Sequence, residues 1–306
     1  MASLLNRFVV FALRFVPKPI VRLFAGRYIA GDTLEDAVAL VKSLNARGIM
    51  ATLDVLGESI TDPSDGDIAV AAYLKALDAI QANGLDCNVS LKPSQFGLHM
   101  DVPTATERIR AVARRAAELG NFVRIDMEDV PLTTATLTLY RALRGEVGGH
   151  IGTVVQAYLR RTLDDVLALI EEGPTNLRLC KGIYIEPRAH AYKAFDIVRD
   201  NYIYVLKEAL SRGAYVGIAT HDEWLFFHAD RIVRELGLDP QRFEFQMLLG
   251  VDDQLQELIL ARGYRLRLYV PYGLEWYAYS MRRLRENPQV AMYIIEGFFK
   301  RLLGRE

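Results

Sequence analysis

The chain has 306 residues, 51% of them apolar, 25% charged and 10% aromatic, with 22 Gly and 11 Pro. That composition excludes a disordered tail, a collagen-like chain and a disulfide scaffold. The net charge of −1 is unevenly spread: residues 1–31 hold Arg7, Arg14, Lys18, Arg22 and Arg27 and no acid, leaving 32 basic against 38 acidic side chains, or −6, in the rest. A basic arm ahead of a mildly acidic body lacks the basic-domain footprint of a nucleic-acid binder.

The arm, residues 4–29, has the pattern of one or two short amphipathic helices broken at Pro17-Lys18-Pro19. Arginines among Leu, Phe and Val suit a helix lying on an anionic membrane surface, or one packed on the body or a second subunit. No stretch approaches the length of an apolar membrane span, and a secretory signal peptide fits poorly because Arg14 ends a short apolar run. Eight β-type runs follow, at 48–57, 86–92, 121–128, 150–158, 176–184, 214–222, 242–250 and 264–273. Between them lie segments of helical period, such as TLEDAVALVKSLNARG, TATERIRAVARRAAELG and DDQLQELILARG, opening on an acidic or hydroxyl residue and closing on Gly. Strands alternating with helices imply parallel βαβ units, and eight of them predict a TIM-type (β/α)8 barrel in the α/β class. An open doubly wound sheet is the rival, but DVLGESITDPSDG after the first strand is no GxGxxG. The expected division is an arm at 1–31 and a catalytic barrel domain at 32–306, including a lid helix at 275–286 and an apolar C-terminal helix.

Chemistry on such a barrel gathers at the C-terminal strand ends. Polar residues stand there in nearly every unit: Asp54 and Glu58, Lys92, Asp126 and Glu128, Gln156, Arg178 and Lys181, Thr220-His221-Asp222, Gln246, and Tyr269. One such residue is usually a satisfied core group; eight strands with the same feature predict a polar mouth. The five histidines are scattered with no HxH, HExxH or CxxC, so no metal site is expected. Cys87 and Cys180 lie in apolar runs and read as small core residues of a reduced, cytoplasmic protein. Lys92, Arg178 and Lys181 suit an anionic ligand or a cofactor that gains negative charge, while a strand-end lysine also leaves a Schiff-base aldolase open. After the eighth run, Tyr279, Arg282, Arg283 and Glu286 recur at spacings of three and four and share a helix face. Paired guanidinium groups clamp a carboxylate, and a solvated basic face is the equal alternative.

These residues carry a family resemblance. SLKPS around Lys92, RIDMED around Asp126, VVQAY around Gln156, RLCKGIY from Arg178, ATHD around His221, FEFQML around Gln246 and YxxRRxxE from Tyr279 resemble proline dehydrogenase in its short bacterial form. The resemblance implies a distorted (β/α)8 barrel that oxidises L-proline to Δ1-pyrroline-5-carboxylate with FAD. It implies that Lys92, Arg282 and Arg283 bind the proline carboxylate, and that Leu248, Tyr269 and Tyr279 line the ring pocket beside Asp126. It puts Met127, Gln156, Arg178, Lys181, Gly182, Ile183, Thr220 and His221 on the FAD, Arg178 near flavin N5, and Glu58 as gating partner of the first paired arginine. Asp126 and Arg178 are then the candidate catalytic residues, with Asp126 or bulk solvent accepting the amine proton. Electrons pass to ubiquinone or menaquinone, which adds weight to peripheral attachment at the inner face of the cytoplasmic membrane; a homo-oligomer is compatible. Methylenetetrahydrofolate reductase is a rival flavin barrel, disfavoured by the tyrosine and paired arginines. Ile183 stands where the family has a small residue and Asp222 where Asn is frequent, while the retained Tyr269 favours proline over hydroxyproline.

Overall fold

The computed structural model describes residues 21–22, 26–57, 59–277 and 279–281. The first long helix, α1 (Leu34–Asn45), starts where local chemistry tells it to: the Thr33 hydroxyl accepts from the Asp36 N–H at 3.1 Å, and the Asp36 carboxylate accepts from the Thr33 N–H at 3.1 Å. This reciprocal box satisfies two of the N–H groups that every helix start leaves unpaired. Strand β1 (Met50–Val55) follows, then α2 (Asp65–Ala82), β2 (Cys87–Leu91), α3 (Val102–Glu118), β3 (Val123–Ile125) and α4 (Val130–Val147). The second half continues with β4 (Ile151–Gln156), α5 (Thr162–Glu171), β5 (Asn176–Cys180), α6 (Phe195–Ser211), β6 (Tyr215–Ala219), α7 (Glu223–Glu235), β7 (Phe243–Leu248), α8 (Asp253–Ala261) and β8 (Leu266–Tyr272).

Every strand is parallel to its sequence neighbours, and β8 pairs with β1 from Met50↔Arg267 to Val55↔Tyr272, which closes the eight-stranded barrel. Each strand falls inside the run expected for it, trimmed at the ends. The 176–184 run stops at Cys180 because Gly182 takes φ +104°, a left-handed conformation that turns the chain out of the sheet. Helix α3 starts two residues before its periodic stretch, since Asp101 caps it and Pro103 is tolerated in a first turn that needs no N–H from it.

Alternate strand residues face opposite ways, and here the two sets differ in kind. Leu53, Val89, Ile125, Leu179, Ile218, Phe245 and Leu268 pack into one core with the helices, nearly fully buried. Burial of such side chains contributes about 1.5–3 kcal/mol each. The other set, including Thr52, Ser90, Arg124, Arg178, Glu244 and Arg267, is also buried but polar. The barrel interior is therefore a hydrogen-bonded network that leads to the mouth. Cys87 and Cys180 carry free thiols, and burial pushes them up to about 12 and about 11. No helix among the described residues is long and apolar enough to cross a membrane.

Candidate active site

A cavity of about 670 Å³ opens at the C-terminal ends of the strands, a volume typical of a cofactor or small-molecule site. Its wall brings together Lys92, Asp126, Leu248, Tyr269 and Tyr279 with Met127, Gln156 and Arg178. Lys181, Gly182, Ile183, Thr220 and His221 line the same space. Apart from the helical Tyr279, these residues come from strands or loops spread over most of the barrel, and closure of the sheet makes them neighbours. Glu58, Arg282 and Arg283 lie outside the described residues, as do most of the 1–31 arm and the residues after 281. Of the expected lid helix, residues 276–277 and 279–281 are helical.

The centre of the floor is Arg178. Its Nη1 donates to Asp126 Oδ1 at 2.7 Å and to Ser90 Oγ at 3.2 Å, and its Nε donates to Gln246 Oε1 at 2.5 Å. Two anchors on a planar group fix both its plane and its rotation. Nη2 makes no hydrogen bond among the described residues. The guanidinium also stacks 5.2 Å from the Tyr269 ring centroid. Asp126 in turn accepts from Ser90 Oγ at 2.7 Å and from the Tyr269 hydroxyl at 2.9 Å, so both its oxygens are engaged. Burial, then the nearby Asp126 and Asp54 carboxylates, hold the Tyr269 hydroxyl well above the ordinary tyrosine range and keep it a donor.

At one side Lys92 Nζ meets Asp54 Oδ1 at 2.7 Å, and the fully buried Asp54 leaves Oδ2 without a hydrogen-bond partner among the described residues. Beneath Lys92, Glu128 accepts from both the N–H and the hydroxyl of Ser94, tying the end of β3 to the turn at Pro93–Phe96. Burial raises its carboxyl above the usual range, against the Ser94 bonds.

At the other side Asp222 accepts from Lys181 at 3.1 Å and from Arg199 at 2.9 and 2.7 Å, and it caps α7 by accepting from the Trp224 N–H. Burial opposes its ionisation, but the Arg199 and Lys181 bonds outweigh that and hold its carboxyl below the usual range. Phe195 lies against both cations, 4.9 Å from Lys181 Nζ and 4.3 Å from the Arg199 guanidinium. His221 Nε2 accepts from the Leu248 N–H at 2.8 Å, which places the ring proton of a neutral imidazole on Nδ1. Both cavity lysines rest on carboxylates, whereas a Schiff-base nucleophile needs surroundings that keep its amine neutral.

Arg199, Ser90, Glu244 and Arg267 are part of this site or its support and are absent from the residues singled out from sequence. The strand members were readable in principle, because Ser90 precedes Lys92 by two, Glu244 precedes Gln246 by two and Arg267 precedes Tyr269 by two. Arg199, on a helix, carried no such signal.

The proline dehydrogenase family model matches residues 37–294. The chain belongs to the proline dehydrogenase family. Membership removes the aldolase and folate-reductase alternatives. The chain is 38% identical over 280 residues to a proline dehydrogenase of Deinococcus radiodurans, covering 90% of each. It is 37% identical to proline dehydrogenase 1 of Bacillus subtilis strain 168, covering 92% of each. The crystal structure of proline utilization A from Bdellovibrio bacteriovorus, inactivated by N-propargylglycine, matches with a TM-score of 0.81 at 25% identity. That match covers 86% of this chain and 32% of the other, so the chain spans about a third of its length.

Proposed function

We propose that this chain oxidises L-proline to Δ1-pyrroline-5-carboxylate with FAD held at the barrel mouth. The observation that carries the reading is Arg178, a cation on the cavity wall that is locked on two sides and whose Nη2 makes no hydrogen bond among the described residues. Four features support FAD as the occupant. Gln156 spends its amide N–H groups on the Met127 and Glu128 carbonyls at 3.1 and 2.8 Å, while its own buried Oε1 has no partner among the described residues. Lys181 and Arg199 supply cations for a diphosphate, and Met127, Val154 and Met247 supply apolar wall for a planar ring. Gly182 keeps its loop close to Tyr158, where a side chain would overlap the ring.

Held there by residues such as Gln156, Lys181 and Arg199, FAD would supply a two-electron acceptor for the hydride that leaves proline C5. The protein's work is positional and electrostatic. Lys92, with Arg282 and Arg283 of the YxxRRxxE segment, neutralises the substrate carboxylate, and Leu248, Tyr269 and Tyr279 bound the ring. Fixing the reacting atoms in this way contributes several kcal/mol, on the order of the effective-molarity advantage of oriented reactants. Arg178 stabilises the negative charge that the cofactor gains, with no reorganisation because it is already clamped. Glu58 gates the first of the paired arginines. With both Asp126 oxygens occupied, solvent is the better acceptor for the amine proton.

Electrons leave to ubiquinone or menaquinone. The basic arm at 1–31 supports peripheral attachment of the 32–306 barrel to the inner face of the cytoplasmic membrane. The residues 275–286 serve as the lid. Purified protein is expected to be yellow, and to bleach when L-proline is added without oxygen. A colourless chain that stays inert after FAD is supplied would overturn the reading.

A further inference from the structure

Arg178 is oriented by a chain of bonds that starts outside the cavity wall. Glu244 lies two residues before Gln246 on β7, so both face the barrel interior. Glu244 Oε1 accepts from Arg267 Nε at 2.8 Å and from Gln246 Nε2 at 2.6 Å, and Oε2 accepts from the Tyr215 hydroxyl at 2.9 Å. Burial disfavours its charge, but Arg267 and these bonds prevail and hold the carboxyl down at about 2.

The Gln246 amide is thus caught between an anion and a cation. In the observed orientation its NH2 meets Glu244 and its carbonyl meets Arg178 Nε. Turned over, NH2 would face the Arg178 N–H and oxygen would face the carboxylate, leaving buried groups unsatisfied at about 1–3 kcal/mol each. Glu244 therefore dictates which end of the amide Arg178 meets. A neutral amide at position 244 can donate or accept, and would leave both orientations of Gln246 open.

We propose that Glu244 is a positioning residue of the active site, acting through the Gln246 amide to hold the Arg178 guanidinium in its working orientation. The proposal rests on the reading of Arg178 as the cation that stabilises charge on the bound flavin. Glu244 does not line the cavity; of the two lining residues it bonds, Arg267 and Gln246, it is Gln246 that reaches Arg178.

The test uses the full-length flavin-loaded protein with Glu244→Gln, Gln246→Met and the double variant. Flavin content, thermal stability, the L-proline dissociation constant, the limiting rate of anaerobic flavin reduction, and the flavin reduction potential without substrate are measured. Each single variant is expected to slow flavin reduction about tenfold or more, with proline affinity within about twofold, as loss of a preorganised charge contact predicts. The reduction potential should fall in both. The double variant should be no slower than the worse single, because both break one chain. A folded, loaded Glu244→Gln protein with the wild-type rate and potential overturns the proposal, as do effects that multiply in the double. If Glu244→Gln does not fold, Gln246→Met decides, and a wild-type rate and potential there overturn it. A wild type that binds flavin but is not bleached by L-proline sinks the reading of the site, whereas variants that match an active wild type sink only the role of Glu244.

Discussion

Tyr269 on β8 donates its hydroxyl to Asp126 at the end of β3, across 2.9 Å of the barrel mouth and 143 positions of chain. The bond makes Asp126 an organiser. One carboxylate orients the tyrosine that walls the cavity and the arginine at its floor. Tyr269→Phe is expected to cost about 1–2 kcal/mol of stability through the orphaned carboxylate oxygen. It should raise the KM for proline several-fold while flavin content stays at the wild-type level. Asp126→Ala should cost more, about 3–5 kcal/mol, because it strands the buried Arg178 charge. Denaturant unfolding and steady-state kinetics check both; loss of flavin ahead of proline affinity in Tyr269→Phe would place Tyr269 on the wrong ligand.

Gly182 combines φ +104° with a position where a methyl group would overlap the Tyr158 ring. Gly182→Ala is therefore expected to lower thermal stability and the stoichiometry of bound flavin together. A stable variant with full flavin content would show that this loop is free to rearrange.

Asp222 sets the charge felt by an anion near Lys181 and Arg199. Its folded carboxyl lies below the ordinary value of 3.8, so it stabilises the fold above that pH and loses the contribution as pH falls through the depressed value. Asp222→Asn keeps an oxygen for the Trp224 N–H and removes the charge. The apoprotein of this variant should bind FAD several-fold more tightly, as titration of flavin fluorescence can read. Weaker binding would mean that the two cations do not face the phosphates.

Glu244 offers a pH test of the interior. Its carboxyl is lowered from 4.5 to about 2, so its contribution is complete above pH 4.5 and is lost as pH falls from there toward 2. The shift corresponds to about 3 kcal/mol as an order of magnitude. Denaturant unfolding should find wild type well above Glu244→Gln in stability at pH 7, with a gap that narrows by pH 3. A constant gap would mean that Glu244 is not held ionised by Arg267.

The barrel was legible because strand and helix periods alternate cleanly from Leu34 to Tyr272 and the helix starts carry caps such as Thr33 and Asp101. The mouth was legible because Lys92 and Asp126 directly follow strands β2 and β3, while Arg178 and Tyr269 stand within β5 and β8, and a closed parallel barrel sends all the C-terminal strand ends to one side. Their pairing was not legible. Nothing local links Glu244 to Arg267 or Lys181 to Asp222, since those contacts, 23 and 41 residues apart, depend on the register of neighbouring strands and on the path of the loops that follow them. The same limit hid Arg199, which reaches the mouth only because α6 starts beside it.

The most direct test of the central claim is rapid-mixing reduction of the bound flavin by L-proline carrying two deuterons at C5, without oxygen. The account predicts that the flavin band bleaches with both substrates and several-fold more slowly with the deuterated one, as expected when the C5 hydrogen leaves as hydride in the slow step. Equal rates under conditions where reduction limits, or no bleaching by either substrate, would contradict it.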